Sequence, residues 1–125
     1  MVDTVENYAV WLEKANEAVL DKETQAKSRL AGADYADAYK NLMVAKAEII
    51  RQLPQEFQQA FPGKDPAVRA AWERIMSRLR DFAAGAENAL AVGSPFYMSA
   101  LLYPDEHQPG EPNNLELLIA ELKRS

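Results

Sequence analysis

His107 is the only histidine in the chain, and it stands among Asp105, Glu106, Pro109, Gly110 and Glu111 in a run made for a loop. A metal centre needs three or four convergent ligands. Cysteine is absent, so such ligands would have to be carboxylates brought in from elsewhere, and the residue reads as a solvated loop histidine. Carboxylates do recur near helical spacing, as Glu13 with Glu17 and Glu116 with Glu121. None carries the Glu-x-x-His signature of a di-iron bundle, and one histidine cannot supply two such motifs. Ala84-Gly85-Ala86 lies within a helical pattern and lacks the lysine of a phosphate loop. No serine has a His/Asp set in recognisable order. The sequence therefore assigns no catalytic residue, no cofactor and no metal ligand, and the chain reads as non-enzymatic. An enzyme would need a polar site hidden between helices.

Two further residues invite chemistry. Lys46 falls between Leu42 and Ile49 on an apolar helical face. A long stem can snorkel and keep its ammonium in water, or the charge can be buried against an acid such as Glu73 or Asp81. Gly85 sits among Ala83, Ala84 and Ala86, a low profile that suits close helix–helix contact, or else a hinge or a groove for a partner.

The elements that would carry these residues are helices. Val68, Trp72, Ile75, Leu79, Phe82, Ala86 and Leu90 recur at steps of three and four, a single helical face. Asp65 caps this helix and Pro66 occupies its first position, where a missing N–H costs nothing; Gly93 stops it. A first helix runs from Asp3 or Thr4 to Leu30 on the stripe Val5, Tyr8, Leu12, Ala15, Val19 and Ala26. Asp3 with Glu6 fits the capping-box spacing better than Thr4 with Asn7. Its second half is nearly all polar and is expected to be solvated on most sides; Gly32 suits its C-terminal cap. Asp34 caps a second helix with Tyr35, Ala38, Tyr39, Leu42, Ile49 and Leu53 inward. Pro54 should kink or break it, leaving a short segment from Gln55 to Phe61, and Pro62-Gly63 is a turn.

Ser94-Pro95 repeats the cap-plus-proline start. Phe96, Tyr97, Met98, Leu101, Leu102 and Tyr103 follow, too many large side chains for one buried stripe on so short a helix. They either plug one end of the bundle or leave an exposed patch. Residues 105–114 then read as a proline-rich linker. Asn113 or Asn114 caps a last helix, 115–125, with Leu115, Leu118, Ile119 and Leu122 on one side. At that length it must dock on its own bundle, a second copy or another protein. The expected fold is all-α, an antiparallel bundle of three long helices over residues 1–104 with one or two short C-terminal helices.

Composition narrows the function. The 125 residues carry a net charge of −5, are 48% hydrophobic and 26% charged, and include five glycines. No run of alternating β-branched residues suggests a strand. An acidic balance argues against nucleic acid, and the one basic concentration, Arg69, Arg74, Arg78 and Arg80, is interrupted by Glu73 and Asp81 and suits a salt-bridged surface. No run approaches the roughly 20 apolar residues that span a bilayer, and the N-terminus lacks the basic start and apolar run of a signal peptide. A cytoplasmic location is expected.

Residues 34–92 resemble the small flagellar export chaperones. The run AYKNLMVAKAEIIRQL, with Lys46, Ile49, Ile50 and Leu53, is similar to a pattern of that family's second helix, as is Asn88 near the end of the following long helix. The Pro54 position, the aromatic segment and the proline-rich loop fall outside that pattern. The resemblance implies a binding protein that covers an amphipathic helix of a client. The residues expected to contact a protein partner are Phe96, Tyr97, Leu101, Leu102, Leu115, Leu118, Ile119 and Leu122. The alternative is a structural or phage-like assembly protein that self-associates, as a homodimer for example, through the same patches.

Overall fold

A computed structural model describes residues 2–28 and 35–124, apart from the Tyr35 side chain. Helices α1 (Val5–Ser28), α2 (Tyr35–Ala60), α3 (Arg69–Val92), α4 (Pro95–Ala100) and α5 (Asn114–Arg124), with a 3-10 turn at Pro66–Val68, make up its regular structure. The fold is all-α. The expected caps at Gly32 and Asp34, and the end of the first helix at Leu30, lie outside the described residues.

α2 is the hub. It packs along α1 on one side and α3 on the other, and α4 also rests on it. α2 holds that place because it presents apolar residues to both neighbours. Met43, Ala47, Ile50, Leu53 and Phe57 are all buried, while Leu42, Val44 and Ile49 widen the face. α2 continues through Pro54 to Ala60, so the expected break and separate segment from Gln55 do not occur. Proline removes the hydrogen bond to the Ile50 carbonyl. Leu53, Phe57 and Phe61, fully buried on both sides of it, hold the helix in register through the gap.

One end of the fold is an aromatic knot. Tyr8 meets Phe57 and Phe61 with ring centroids 5.3 and 4.8 Å apart, and Trp11 meets Phe57 at 5.1 Å. The start of α1 thus lies on the end of α2. The Trp72 indole N–H donates to the Phe61 carbonyl at 2.8 Å. Gly63 packs flat on that indole with φ +75°, and a Cβ there would stand 2.4 Å from a ring carbon. Only glycine combines the left-handed turn with so close an approach.

Local chemistry fixes the helix starts. The Thr4 hydroxyl accepts from the Asn7 N–H at 3.0 Å and caps α1. The favoured Asp3–Glu6 pairing is replaced because Asp3 is used elsewhere: its carboxylate accepts from the Tyr8 hydroxyl at 3.1 Å and the Gly63 N–H at 3.2 Å. Asp65 accepts from the Ala67 N–H at 2.9 Å, but the turn it opens is 3-10 before α3 begins. Gly93 ends α3 in the left-handed conformation, and Ser94 then caps α4.

α5 lies on α1. Leu115, Leu118, Ile119 and Leu122 are buried and belong to the common core. At about 1.5–3 kcal/mol each, their burial is enough to hold a helix too short to persist alone. Asn113 makes a complete capping box: its side chain accepts from the Glu116 N–H at 2.8 Å, and Glu116 accepts from the Asn113 N–H at 2.9 Å. Its amide also donates to Asn16 of α1 at 2.8 Å, a buried contact between two polar residues. The stretch read as a linker is knitted by its own bonds, among them Gln108 N–H to the Glu111 carboxylate and Asn114 N–H to the Leu102 carbonyl, at 2.8 and 2.7 Å.

Candidate functional site

The eight residues picked out as partner contacts divide sharply. Phe96 is 74% and Tyr97 54% exposed, Leu101 is half-buried, and Leu102, Leu115, Leu118, Ile119 and Leu122 are buried. α4 explains the split. Ser94 accepts from the Tyr97 N–H at 3.3 Å and Pro95 sets the first turn, so on a six-residue helix only one direction faces the core. Met98 takes it, and Leu102, at φ +71°, turns the chain back so that its own side chain also points inward. Phe96 and Tyr97 are left outside, packed edge to face at 5.8 Å.

Beside them runs an open groove of about 410 Å³ between α3 and α4. Gly85, Ala89 and Ala100 are its small-residue lining, Leu101 and Tyr97 stand over it, and Val92, 65% exposed, closes one end. Gly85 is not forced by the fold: a Cβ there would meet only Leu101, at an ordinary 3.6 Å. The groove is apolar, with Asn88 and Asp105 as its polar contributions and no basic residue lining it.

The second polar feature is Lys46, fully buried. Its ammonium donates to the Ser99 carbonyl at 2.9 Å, stands 3.4 Å from the Glu23 carboxylate and lies 5.0 Å from the centre of the Tyr103 ring. The Tyr103 hydroxyl donates to that same carboxylate. Burial pushes the Lys46 ammonium below its ordinary pKa, and Glu23 opposes the shift. Burial and the Glu23 hydrogen bond push the Tyr103 hydroxyl up. The node ties α1, α2 and α4 together, and no face of the ammonium is open to a substrate. Its partner is Glu23, not Glu73 or Asp81. Glu73 pairs with Arg69 at 2.9 Å on the surface. The signal for Glu23 was present: Leu12, Asn16, Val19, Glu23 and Ala26 form one helical stripe, and both of its polar members found buried partners. Asn16 and Ser99 were not picked out from sequence, and Tyr103 was noted only among the large side chains of 96–103.

His107 lies tilted against Tyr103 at 4.7 Å between centroids, and its Nε2 lies 2.8 Å from the Glu111 carbonyl. Among the described residues no group of three or more histidine, aspartate or glutamate side chains could hold a metal ion. No described helix is long and apolar enough to cross a membrane. Arg69 stacks on Trp72, Arg74 pairs with Glu121 at 2.8 Å and Arg78 lies over Phe82, so three of the four clustered arginines are engaged within the fold. Comparison with protein-family models, with curated proteins and with solved structures gives no match.

Proposed function

We propose that this chain is a non-enzymatic protein-interaction module that works in the cytoplasm, its three long helices acting as one antiparallel bundle that presents α4 and the α3–α4 groove to a protein partner. The observation that carries this reading is the exposure of Tyr97 and Val92 on one groove, with exposed Phe96 packed against Tyr97. Two adjacent exposed aromatic side chains beside an apolar depression are the usual make-up of a binding anchor. A small-residue lining admits the backbone or short side chains of an amphipathic helix. The resemblance of residues 34–92 to flagellar export chaperones supplies the most concrete version, a chaperone or adaptor that shields such a helix. On this reading the contacts are Phe96, Tyr97 and Leu101, while Leu102, Leu115, Leu118, Ile119 and Leu122 serve the core.

The test is the double variant Phe96→Asp, Tyr97→Asp beside Leu117→Asp, which changes a partly exposed side chain on α5. Each is melted to establish folding and then co-purified from the cells of origin. Loss of a stoichiometric partner with the first variant alone supports the reading. Equal recovery with both sinks it. A wild-type chain that sediments as a dimer, and a Phe96→Asp, Tyr97→Asp chain that sediments as a monomer, would assign the same surface to self-assembly.

A further inference from the structure

A second groove, of about 870 Å³, opens at the other end of the molecule, between the start of α1, the 3-10 turn and the end of α5. Val68 precedes α3 and Val92 ends it; its 24 residues span about 36 Å at 1.5 Å per residue, so the two grooves are well separated. Its apolar lining is Val5, Ala9, Val10, Val68 and Leu122. Val10 is 40% exposed in the middle of a helix face. Asp3, Glu6, Glu13 and Asp65 also line it. Lys123 is its one basic residue, and it is engaged with Glu13 at 2.8 Å. Glu6 has no ion-pair partner among the described residues.

We propose that this groove binds a basic, amphipathic peptide segment of another protein, whose apolar side chains enter between Val10 and Val68 and whose lysines or arginines meet Glu6, Asp65 and Asp3. Charge complementarity selects this occupant. Four carboxylates against one already-paired lysine attract a cationic chain and steer its approach. The same field repels anionic lipid headgroups. It also works against a second copy, since each chain carries a net charge of −5. With α4 at the far end, the molecule then has two separate docking surfaces, which is the geometry of an adaptor. The inference does not depend on the α3–α4 groove being used.

The probe is a short fluorescein-labelled peptide of leucine and lysine at amphipathic helical spacing, titrated by anisotropy with the full chain at low salt. Saturable binding is expected, weakened about fivefold or more by Glu6→Lys and by Val10→Lys. Asp81→Lys makes the same charge change on the exposed surface of α3 and should weaken binding less than about twofold. Amide shift changes should cluster at 3–13 and 65–68. If Glu6→Lys does not fold, Val10→Lys carries the comparison. No binding, equal binding of the glutamate counterpart of the peptide, or equal weakening by Asp81→Lys would overturn the proposal. So would concentration-dependent dimerisation abolished by Glu6→Lys, which would assign the groove to a second copy.

Discussion

Replacing Glu23 by glutamine should damage the fold more than removing the lysine it faces. The glutamine side chain would keep the volume and an acceptor for the Tyr103 hydroxyl. It would leave the Lys46 ammonium, fully buried, with only the Ser99 carbonyl and the Tyr103 ring. An uncompensated buried charge costs about 3–5 kcal/mol. The ceiling is independent of that range. Giving up the proton of a lysine whose ordinary pKa is 10.5 costs about 5 kcal/mol at pH 7, at about 1.36 kcal/mol per pH unit. Lys46→Met removes the charge itself. The Ser99 carbonyl loses its donor, and Glu23, whose side chain is 13% exposed, keeps Tyr103 and some access to water, so the cost is about 1–2 kcal/mol. Glu23→Gln with Lys46→Met should return to within about 2 kcal/mol of the native chain, a coupling of about 3 kcal/mol. Urea unfolding followed by circular dichroism at pH 7 measures all four corners. The sign with pH follows from the lowered Lys46 pKa: the folded state tolerates the neutral amine better, so the Glu23→Gln penalty shrinks as pH rises toward 10. A Glu23→Gln chain within about 0.5 kcal/mol of native, or a double variant at the sum of the two losses, would refute the buried-pair account.

Other consequences are as direct. Asn113→Ala removes the α5 cap and leaves the Asn16 amide oxygen without its buried donor. It should cost about 2–4 kcal/mol, roughly 8–15 °C in Tm for a chain of this size; a loss below about 1 kcal/mol would mean α5 is not fixed by this contact. Gly63→Ala pushes a methyl into the Trp72 ring at φ +75° and should lower stability by about 2–5 kcal/mol. Gly85→Ala, inside α3 and with only an ordinary 3.6 Å contact to Leu101, should raise it by about 0.5–1 kcal/mol. Denaturant midpoints rank the two, and the reverse order would contradict the packing described. Burial, with the Asp3 hydrogen bond second, pushes the Tyr8 hydroxyl up to about 12. Its contribution to stability is complete below pH 10 and lost as pH climbs to about 12. Thermal melts across that window should fall while a Tyr8→Phe chain falls less; parallel curves would remove Tyr8 from the explanation.

What the sequence made legible is what local chemistry decides. Asp65-Pro66, Gly93 and Ser94-Pro95 announce their own roles because caps and breakers act within a few residues. The stripe on α3 is visible because its periodicity runs for six turns. Three features were out of reach for the opposite reason. Pro54 fits inside α2 because Leu53, Phe57 and Phe61 are locked by residues from α1, dozens of positions away. Lys46 meets Glu23 and Tyr103 because α1 and the end of α4 converge on it, and spacing within α2 carries no trace of either. α5 covers α1 instead of projecting because Asn16 and Asn113, 97 residues apart, pair in the core. The two polar interruptions of the α1 stripe, Asn16 and Glu23, were the readable hint, since a polar residue on an apolar face must find a partner.

The central claim is that Phe96 and Tyr97 on α4 contact a partner and that the outer face of α5 at Leu117 does not. A photo-crosslinking side chain placed at position 96, and in a second chain at position 117, tests it in living cells of origin. The account predicts a discrete adduct heavier than the chain from position 96 and none of comparable yield from position 117. Equal adducts from both positions, or an adduct from position 117 alone, would contradict it.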